Sequence, residues 1–452
     1  MKLTFYGGAG TVTGSKILLE VGFKKIMIDC GLFQGLKELR LKNREPFPIN
    51  TNELDLVFLT HAHYDHSGGL PILIKNGYKG KIYCTNATKD LTEIILLDSG
   101  KIQEEDARRA NKYGYTKHKK AEPLYTINDA KNTIPHFETF ELNKWYTVDE
   151  DLKFKFLNSG HILGSSFVLL NIQGKTIVFS GDIGRKEPII LNQYEYVEKA
   201  DYLVIESTYG NRLHNNKPIT DKLLKYIHTT YQKGGVLIIP TFSVERAQEI
   251  IYLLSILKRK NQLPNVPIYL DSPMGVNATE IYFKYQNEHK LTDDDIRSML
   301  STVELVSNFH ASRALVNDDS PKIVLAGSGM ITGGRVLHYL EKYISDKKNA
   351  ILMVGYQAEG TRGRSLISGD SELKFFGKYH KIKAKVYNID AFSGHADQSE
   401  LLDWLSHFKN NPRLTFINHG EPHQSQALKS KITSELSWRC TVAKMNNEYY
   451  LN

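Results

Sequence analysis

The opening of the chain alternates short apolar runs with turns rich in glycine. Residues 2–6, 16–21 and 25–29 have the length and the branched or aromatic side chains of strands, and glycines lie between them. Strands joined by such short turns pair with their neighbours in antiparallel order. The stretch therefore predicts an antiparallel meander whose third strand ends on an acid, Asp29.

A recurring arrangement follows, in which an apolar strand is succeeded by a histidine or a carboxylate and then by small residues. Residues 54–59 form such a strand, and four potential metal ligands follow it within six positions: His61, His63, Asp65 and His66. Strand patterns at 152–157, 175–180 and 202–205 lead in turn to His161, Asp182 and Glu206. Side chains collected at one edge of a sheet form a rigid, preorganised site.

Beyond Gly210 the pattern changes to short apolar strands that alternate with helices. Residues 236–240 resemble a buried strand, and a helix is predicted from Ser243. Its inward positions are Ala247, Ile250, Ile251, Leu254 and Leu257. This alternation is typical of a small parallel sheet flanked by helices.

The first pattern returns near the end of the chain. Residues 383–389 form a strand that precedes His395, and residues 414–417 form another that precedes His419. Because 452 residues exceed one ordinary core, we predict two domains, one interrupting the other. The predicted segments are 1–208 and 381–452 for the outer domain and 209–380 for the inserted one.

Composition narrows the class of protein. The net charge of +8 favours an anionic partner. Three cysteines in no metal-type pairing indicate a reducing compartment without a disulfide framework. No apolar stretch approaches the roughly 20 residues of a membrane span, and the N-terminus enters a strand pattern instead of a signal peptide. These features predict a cytoplasmic protein with no membrane contact.

Three imidazoles and a carboxylate within residues 61–66 are hard to bury unless they bind an ion. Zinc is bound well by histidine nitrogen and carboxylate oxygen. The alternatives are a structural zinc site and a surface histidine cluster. Closed structural sites depend on cysteine, and residues 60–69 contain none.

The strand-end residues suffice for two zinc ions, with manganese or iron as alternatives. We assign His61, His63 and His161 to one ion, Asp65, His66 and His419 to the other, and Asp182 to a bridging position. Asp29 is predicted to accept the outer N–H of a ligating histidine and so to fix its tautomer.

Two bound metals lower the pKa of water and supply hydroxide near neutral pH. An alkoxide leaving group still needs a proton, and His395 is the remaining imidazole. Glu206 is predicted to hold His395 and raise its pKa. The alternative for Glu206 is a surface or capping carboxylate.

The run His61-Ala62-His63-Tyr64-Asp65-His66, together with His161 and Asp182, resembles the pattern of the metallo-β-lactamase superfamily. More narrowly, Glu206, His395 and His419 match motifs A, B and C of the β-CASP nucleases. The resemblance implies an αββα sandwich with an inserted β-CASP α/β domain, two zinc ions, and hydrolysis of nucleic-acid phosphodiesters between the domains. A histidine at motif C is similar to the RNA-processing branch. There the chain resembles the compact bacterial and archaeal relatives of the endonuclease subunit that cleaves eukaryotic pre-mRNA.

Analogy with that group places Ser328, Gly329, Ser393 and Gly394 against substrate phosphates. The basic residues of the inserted domain add Arg362 and Arg364, with Lys374 and Lys378 nearby. Phe375 and Phe376 are expected in the core rather than as platforms for bases.

The leading hypothesis is a zinc-dependent ribonuclease that cuts single-stranded RNA internally with a hydroxide held by two metals. A thioester or lactam hydrolase on the same scaffold is the main alternative, but it leaves Glu206 and His395 unused. A DNA nuclease, a 5′-3′ exoribonuclease and a non-catalytic RNA-binding subunit are further alternatives. The sequence leaves a monomer or a homodimer open.

Overall fold

A computed structural model describes residues 1–114, 120–214, 219–389 and 392–452. The chain divides into two compact units. The first combines Met1–Pro188, Asn192–Leu213 and His395–Asn452, and the second combines Ile189–Leu191 and His214–Gly394. The main part of the second unit runs from His214 to Gly394. The sequence pattern predicts an inserted domain at 209–380.

The first unit is built on two mixed sheets. One contains, in spatial order, β22 (Glu448–Tyr450), β1 (Lys2–Gly7), β2 (Lys16–Val21), β3 (Lys24–Ile28), β4 (Leu56–Phe58), β5 (Lys81–Thr85) and β6 (Phe137–Phe140). The other contains β21 (Cys440–Val442), β20 (Leu414–Ile417), β11 (Tyr202–Ile205), β10 (Lys175–Phe179), β9 (Ser166–Ile172), β8 (Leu152–Asn158) and β7 (Trp145–Thr147).

Helices cover the outer sides of both sheets. They are α1 (Lys37–Lys42), α2 (Tyr64–Ser67), α3 (Leu70–Lys75), α4 (Asn86–Tyr113), α5 (Ile127–Thr133), α13 (Gln398–Ser406) and α14 (Pro422–Leu436). Short 3-10 turns lie at Thr51–Glu53 and Ile134–His136. In the described part of the chain, no helix is both long and apolar enough to cross a membrane.

The main core lies between the two sheets. In β8 the alternating side chains of Leu152, Phe154 and Phe156 are buried there, where they meet Phe58 of β4. A second apolar cluster, around Trp404 of α13, fills the outer side of the sheet that contains β8. The αββα sandwich predicted for this unit is confirmed.

The second unit holds a parallel sheet in the order β14 (Glu304–Leu305), β13 (Ile268–Asp271), β15 (Ile323–Ala326), β12 (Leu237–Pro240), β16 (Ala350–Val354) and β19 (Lys385–Ile389). A separate hairpin consists of β17 (Glu372–Phe375) and β18 (Lys378–Lys381). The helices are α6 (Ile219–Tyr231), α7 (Arg246–Arg259), α8 (Pro273–Lys284), α9 (Asp293–Thr302), α10 (Phe309–Asn317), α11 (Val336–Tyr343) and α12 (Arg362–Ser368), with a 3-10 turn at Gln286–Glu288.

The apolar stripe of α7 is buried as its spacing predicts. The helix begins at Arg246 rather than at Ser243, because Glu245 at its N-cap has a φ of 69° and breaks the helical conformation. This unit confirms the predicted parallel α/β domain.

Strand direction brings the functional residues of the first unit to one edge. β3 and β4 run parallel, as do β10, β11 and β20, and β8 shares the direction of β10 because both are antiparallel to β9. The loops after these strands therefore emerge on the same side, and they carry the predicted ligands.

Candidate metal centre

The loop after β4 carries four of the candidate ligands in a tight turn. His61 follows the strand, His63 is the N-cap of α2, and Asp65 and His66 lie in its single turn. The close packing of this loop depends on Gly31, since a Cβ there would lie 1.5 Å from the carbonyl oxygen of Asp65.

One group of ligand atoms contains His61, His63, His161 and Asp182. Nε2 of His161 lies 3.0 Å from Nδ1 of His63. Oδ2 of Asp182 lies 3.4 Å from Nε2 of His61 and 3.5 Å from Nε2 of His161. The structure thus brings together the residues assigned to the first ion.

The second group contains Asp65, His66 and His419. The Nε2 atoms of the two histidines are 3.1 Å apart, and Nε2 of His419 lies 3.5 Å from Oδ2 of Asp65. Oδ1 of Asp182 lies 3.3 Å from Nε2 of His66 and 3.2 Å from Nδ1 of His419. Each Asp182 oxygen therefore faces a different group.

Orphaned polar atoms test whether a cation suits this site. Among the described residues, Nε2 of His61 and Oδ1 of Asp182 are buried without a hydrogen-bond partner. Burying such atoms unpaired is costly, and a cation would satisfy both. An all-nitrogen and oxygen donor set rich in imidazole suits zinc. The residues present fit a metal site.

The electrostatics of the first group favour the forms that bind cations. Burial is the main cause that lowers the pKa of His61 and the pKa of His63 well below their usual range, and neighbouring imidazoles act in the same direction. Burial opposes ionisation of Asp182, but His419, His66 and His61 hold its pKa well below the usual value. Neutral imidazoles and an ionised carboxylate are the ligating states.

His66 is held from behind by Asp29. Oδ2 of Asp29 lies 2.7 Å from Nδ1 of His66, and Oδ1 accepts from the backbone N–H of Thr60 at 2.8 Å. Burial lowers the pKa of His66, but the charges of Asp182 and Asp29 raise it well above the usual value. With Nδ1 bonded to Asp29, Nε2 faces the second group, and a cation there takes the place of the Nε2 proton.

Glu206 and His395 form a second carboxylate–histidine pair in the same unit. Nδ1 of His395 lies 3.1 and 3.2 Å from the two oxygens of Glu206, which also accept from the backbone N–H groups of Ile183 at 2.6 Å and Thr208 at 3.2 Å. Burial lowers the pKa of His395, but the charge and hydrogen bond of Glu206 raise it to about 9. The ring lies 4.5 Å from that of His161, centroid to centroid.

The residues predicted to meet phosphates lie in the second unit. Oγ of Ser328 bonds within its own loop, to Thr332 at 3.1 Å, and Gly329 packs tightly against Phe242. Ser393 is buried, whereas Gly394 and Arg364 are half-buried. Arg362 donates to the carbonyls of Ile331, Thr332 and Lys374. Their role toward phosphate stays a prediction.

Phe375 and Phe376 have different environments. Phe375 is buried and stacks on His380, with ring centroids 4.0 Å apart. The prediction that Phe376 belongs to the core is wrong, because its side chain is 42% exposed at a hairpin tip.

Some residues of the site escaped the sequence reasoning. Thr208 contacts both the second ligand group and the Glu206–His395 pair. Its Oγ1 lies 3.3 Å from Nδ1 of His419, and its backbone N–H donates to Glu206. Thr60 bonds Asp29 and also lies 3.0 Å from Nδ1 of His61. Thr60 directly precedes His61, and Thr208 lies two residues after Glu206. Their positions beside predicted functional residues were the available signal in the sequence.

Fold and site together define a metal-dependent hydrolase. Three family models match successive stretches of the chain. They are the Metallo-beta-lactamase superfamily domain at 18–208, the Beta-Casp domain at 247–366, and the Zn-dependent metallo-hydrolase RNA specificity domain at 379–443. The chain belongs to the metallo-β-lactamase superfamily, in the ribonuclease group that carries the two latter domains, and the resemblance is confirmed.

Individual relatives agree with this placement. The chain is 37% identical over 435 residues to Ribonuclease TTHA0252 of Thermus thermophilus, covering 95% of each chain. It is 32% identical over 443 residues to an RNase J-like protein of Methanocaldococcus jannaschii, covering 96% of each. Transcription termination factor FttA of the same organism is 32% identical over 443 residues, covering 93% of this chain and 67% of that protein.

A solved structure shares the fold. It is the crystal structure of a protein of unknown function from Enterococcus faecalis, with a TM-score of 0.54 and 11% identity. The match covers 100% of this chain and 99% of the other.

Proposed function

We propose that this protein is a zinc-dependent ribonuclease that binds two zinc ions and cuts single-stranded RNA at internal phosphodiester bonds. The observation that carries the proposal is the buried Glu206–His395 pair beside two groups of metal-type ligands. Such a pair supplies a proton donor that a phosphodiester needs and that a thioester, whose leaving group is a stable thiolate, does not. The match to an RNA specificity domain favours RNA over DNA.

His61, His63 and His161 would hold one zinc ion, Asp65, His66 and His419 the other, and Asp182 would contact both. Zinc bound there lowers the pKa of water toward neutrality and withdraws charge from a phosphoryl oxygen. Asp29 and Thr60 hold the imidazoles of His66 and His61 in the orientation that this binding needs.

His395 is placed to protonate the leaving ribose oxygen. Glu206 binds Nδ1, so the proton to be delivered is the one on Nε2. When water adds to phosphorus and the P–O bond breaks, this proton prevents a free alkoxide from forming. Glu206 orients the ring and stabilises the imidazolium before transfer.

The loops of the second unit support a substrate role. Ser328, Gly329, Ser393 and Gly394 lie in loops, where backbone N–H groups and hydroxyls can bind phosphate oxygens, and Arg364 in the first turn of α12 offers a guanidinium. The net charge of +8 favours the polyanion.

A circular single-stranded RNA gives the sharpest test, because only an internal cut can open it. We expect zinc-loaded protein to linearise the circle and to cleave end-labelled linear RNA at internal positions, equally with a 5′-phosphate or a 5′-triphosphate. A circle that stays intact while 5′-phosphorylated linear RNA is degraded would replace endonuclease by 5′-3′ exonuclease. Turnover of a thioester without any RNA cleavage would overturn the ribonuclease assignment.

Elemental analysis of protein purified with zinc tests the metal count. We expect about two zinc ions per chain, and a value of one would remove the second group from the ligand set.

A further inference from the structure

The hairpin of β17 and β18 has two unlike faces. Leu373 and Phe375 point into the second unit, where both belong to its apolar core. Arg362 donates to the carbonyl of Lys374 at 2.7 Å and anchors the hairpin to α12. The buried inner face therefore explains how the hairpin packs on the second unit. The side chains of the outer face do not take part in that packing.

The outer face is basic and aromatic. Lys374 pairs across the hairpin with Tyr379, and Glu372 pairs with Lys381. Directly opposed residues of an antiparallel pair share a face. Tyr379 is 63% exposed, and the Lys374 ammonium lies 5.1 Å from its ring centroid. An exposed aromatic ring flanked by cations is the combination that binds single-stranded nucleic acid, because bases stack while lysines meet phosphates.

The tip of the hairpin departs from ordinary turn chemistry. Phe376 and Gly377 both have positive φ, 48° and 77°, in a two-residue turn that favours Asn-Gly. A phenylalanine in this conformation is strained, and 42% of the side chain is exposed to water. Phe376 stacks on His338 with centroids 5.1 Å apart. The ring also meets Phe375 edge-on, with centroids 5.8 Å apart, and its exposed part is open to a ligand at a position whose conformation disfavours phenylalanine.

The charge of this region is not neutralised locally. Five lysines and one glutamate lie between Glu372 and Lys385. Within the described ranges, Lys374, Lys378 and Lys381 form no ion pair with a carboxylate, although salt bridges hold many other lysines of the chain. Unneutralised lysines on one short element complement a polyanion.

We propose that the hairpin Glu372–Lys381 is a binding site for a single-stranded segment of the RNA substrate. A base stacks on Tyr379 and a second on Phe376, while Lys374 and Lys381 on the outer face bind phosphates. Lys378, which lies opposite Phe375 but is exposed next to the tip, binds a phosphate there. This proposal rests on the proposed function and adds to it a stacking site on the β-CASP unit, outside the metal ligands.

Fluorescence anisotropy with a labelled 20-nucleotide uridine RNA tests the site in the full-length His395→Ala protein, in which slow cleavage leaves the RNA largely intact during the measurement. Tyr379→Ala should weaken binding about 5- to 20-fold because a base loses its stacking partner, and Tyr379→Phe, which keeps the ring, should restore it. Replacing Lys374, Lys378 and Lys381 by glutamine should make the slope of log K against log salt shallower by about 2, at roughly 0.7 per phosphate contact.

Phe23 offers a matched control at another hairpin tip. Its side chain is fully exposed in the turn between β2 and β3, but Lys24 and Lys25 beside it are paired with Asp149 and Glu53. Phe23→Ala should bind RNA as its parent does. Equal loss in Phe23→Ala and Tyr379→Ala would show a nonspecific effect of surface aromatics and overturn the proposal.

Cleavage of the same RNA by the otherwise wild-type protein separates the two proposals. One outcome is that the wild-type protein cuts RNA and that Tyr379→Ala binds and cuts RNA as well as its parent does. The hairpin site is then wrong, and the ribonuclease assignment stands. If RNA binds through the hairpin but no RNA is cut, the hairpin site stands and the ribonuclease falls. A hairpin variant that changes the oligomeric state but not RNA affinity would assign this face to a second copy of the chain.

Discussion

Two carboxylate–histidine pairs of the first unit, Asp29–His66 and Glu206–His395, differ in what the far nitrogen of the histidine ring faces. In the pair of Asp29 and His66, Nε2 lies 3.1 Å from Nε2 of His419 and 3.3 Å from Oδ1 of Asp182, inside a group of ligand atoms. In the pair of Glu206 and His395, the histidine belongs to no such group among the described residues. Under the proposed function, the same chemical pair would orient a metal ligand in one place and a proton donor in the other.

Removing the carboxylate that both metal groups share should have the largest effect. Asp182→Ala takes a ligand from each ion, so we expect zinc content to fall well below two per chain and cleavage to drop about a thousand-fold or more. Elemental analysis and RNA cleavage rates measure both. Asp65→Ala, which touches only the second group, serves as the comparison and should lose less zinc.

Removing His395 should impair the chemical step while leaving metal binding intact. His395→Ala should slow cleavage roughly 10²- to 10⁴-fold, the usual contribution of a general acid, while zinc stays near two ions per chain. Single-turnover cleavage with parallel metal analysis tests this. Loss of zinc in this variant would place His395 among the ligands and erase the difference between the two pairs.

Neutralising each carboxylate in turn sharpens the comparison. Asp29→Asn should weaken zinc binding about 10- to 100-fold, because it removes the group that orients His66. Zinc titration against a competing chelator measures the affinity. Glu206→Gln should leave that affinity unchanged, and an equal loss in both variants would contradict separate roles.

Glu206→Gln should instead change the pH profile. The proton donor must be protonated, so activity declines as pH rises through the pKa of His395, which Glu206 raises to about 9. Without that negative charge the pKa falls, and the alkaline decline should begin at lower pH. Bound cations lower the absolute pKa in both proteins, so the measured quantity is the shift between two kcat/KM profiles. Coincident alkaline limbs would exclude Glu206 as the group that sets this pKa.

The smallest effect is expected at Thr208, whose hydroxyl contacts His419 and whose N–H contacts Glu206. Thr208→Val keeps the N–H and removes only the hydroxyl, so we expect a loss of about 2- to 10-fold in cleavage, the worth of one hydrogen bond. Thr208→Ser should retain near-normal rates. A serine variant as impaired as the valine variant would show that the methyl group matters instead.

Much of the fold could be predicted because its signals are local. Alternating burial in β8 and the stripe of Ala247 and Leu254 on α7 follow from periods of 2 and 3.6 residues. The gathering of the candidate ligands was predictable because each lies in a loop or single turn that follows a strand, and these strands end at one edge. Their gathering in two groups agrees with that reasoning, while their function as ligands stays a prediction.

Contacts between distant segments were not predictable. The need for Gly31 arises from the carbonyl of Asp65, 34 positions away, and the exposure of Phe376 arises from a turn conformation that its sequence does not favour. A local pattern contains no information on either. Thr208 shows the same limit, since its partner His419 comes from a strand far along the chain.

The interrupted course of the chain also orders events during synthesis. His395 and His419 belong to the last segment, His395–Asn452, which leaves the ribosome after the whole second unit. A nascent polypeptide ending at Gly394 already carries His61, His63, His161 and Asp182 but lacks His395 and His419. If the protein acts as proposed, its site would therefore stay incomplete on the ribosome until the segment after Gly394 has been synthesised.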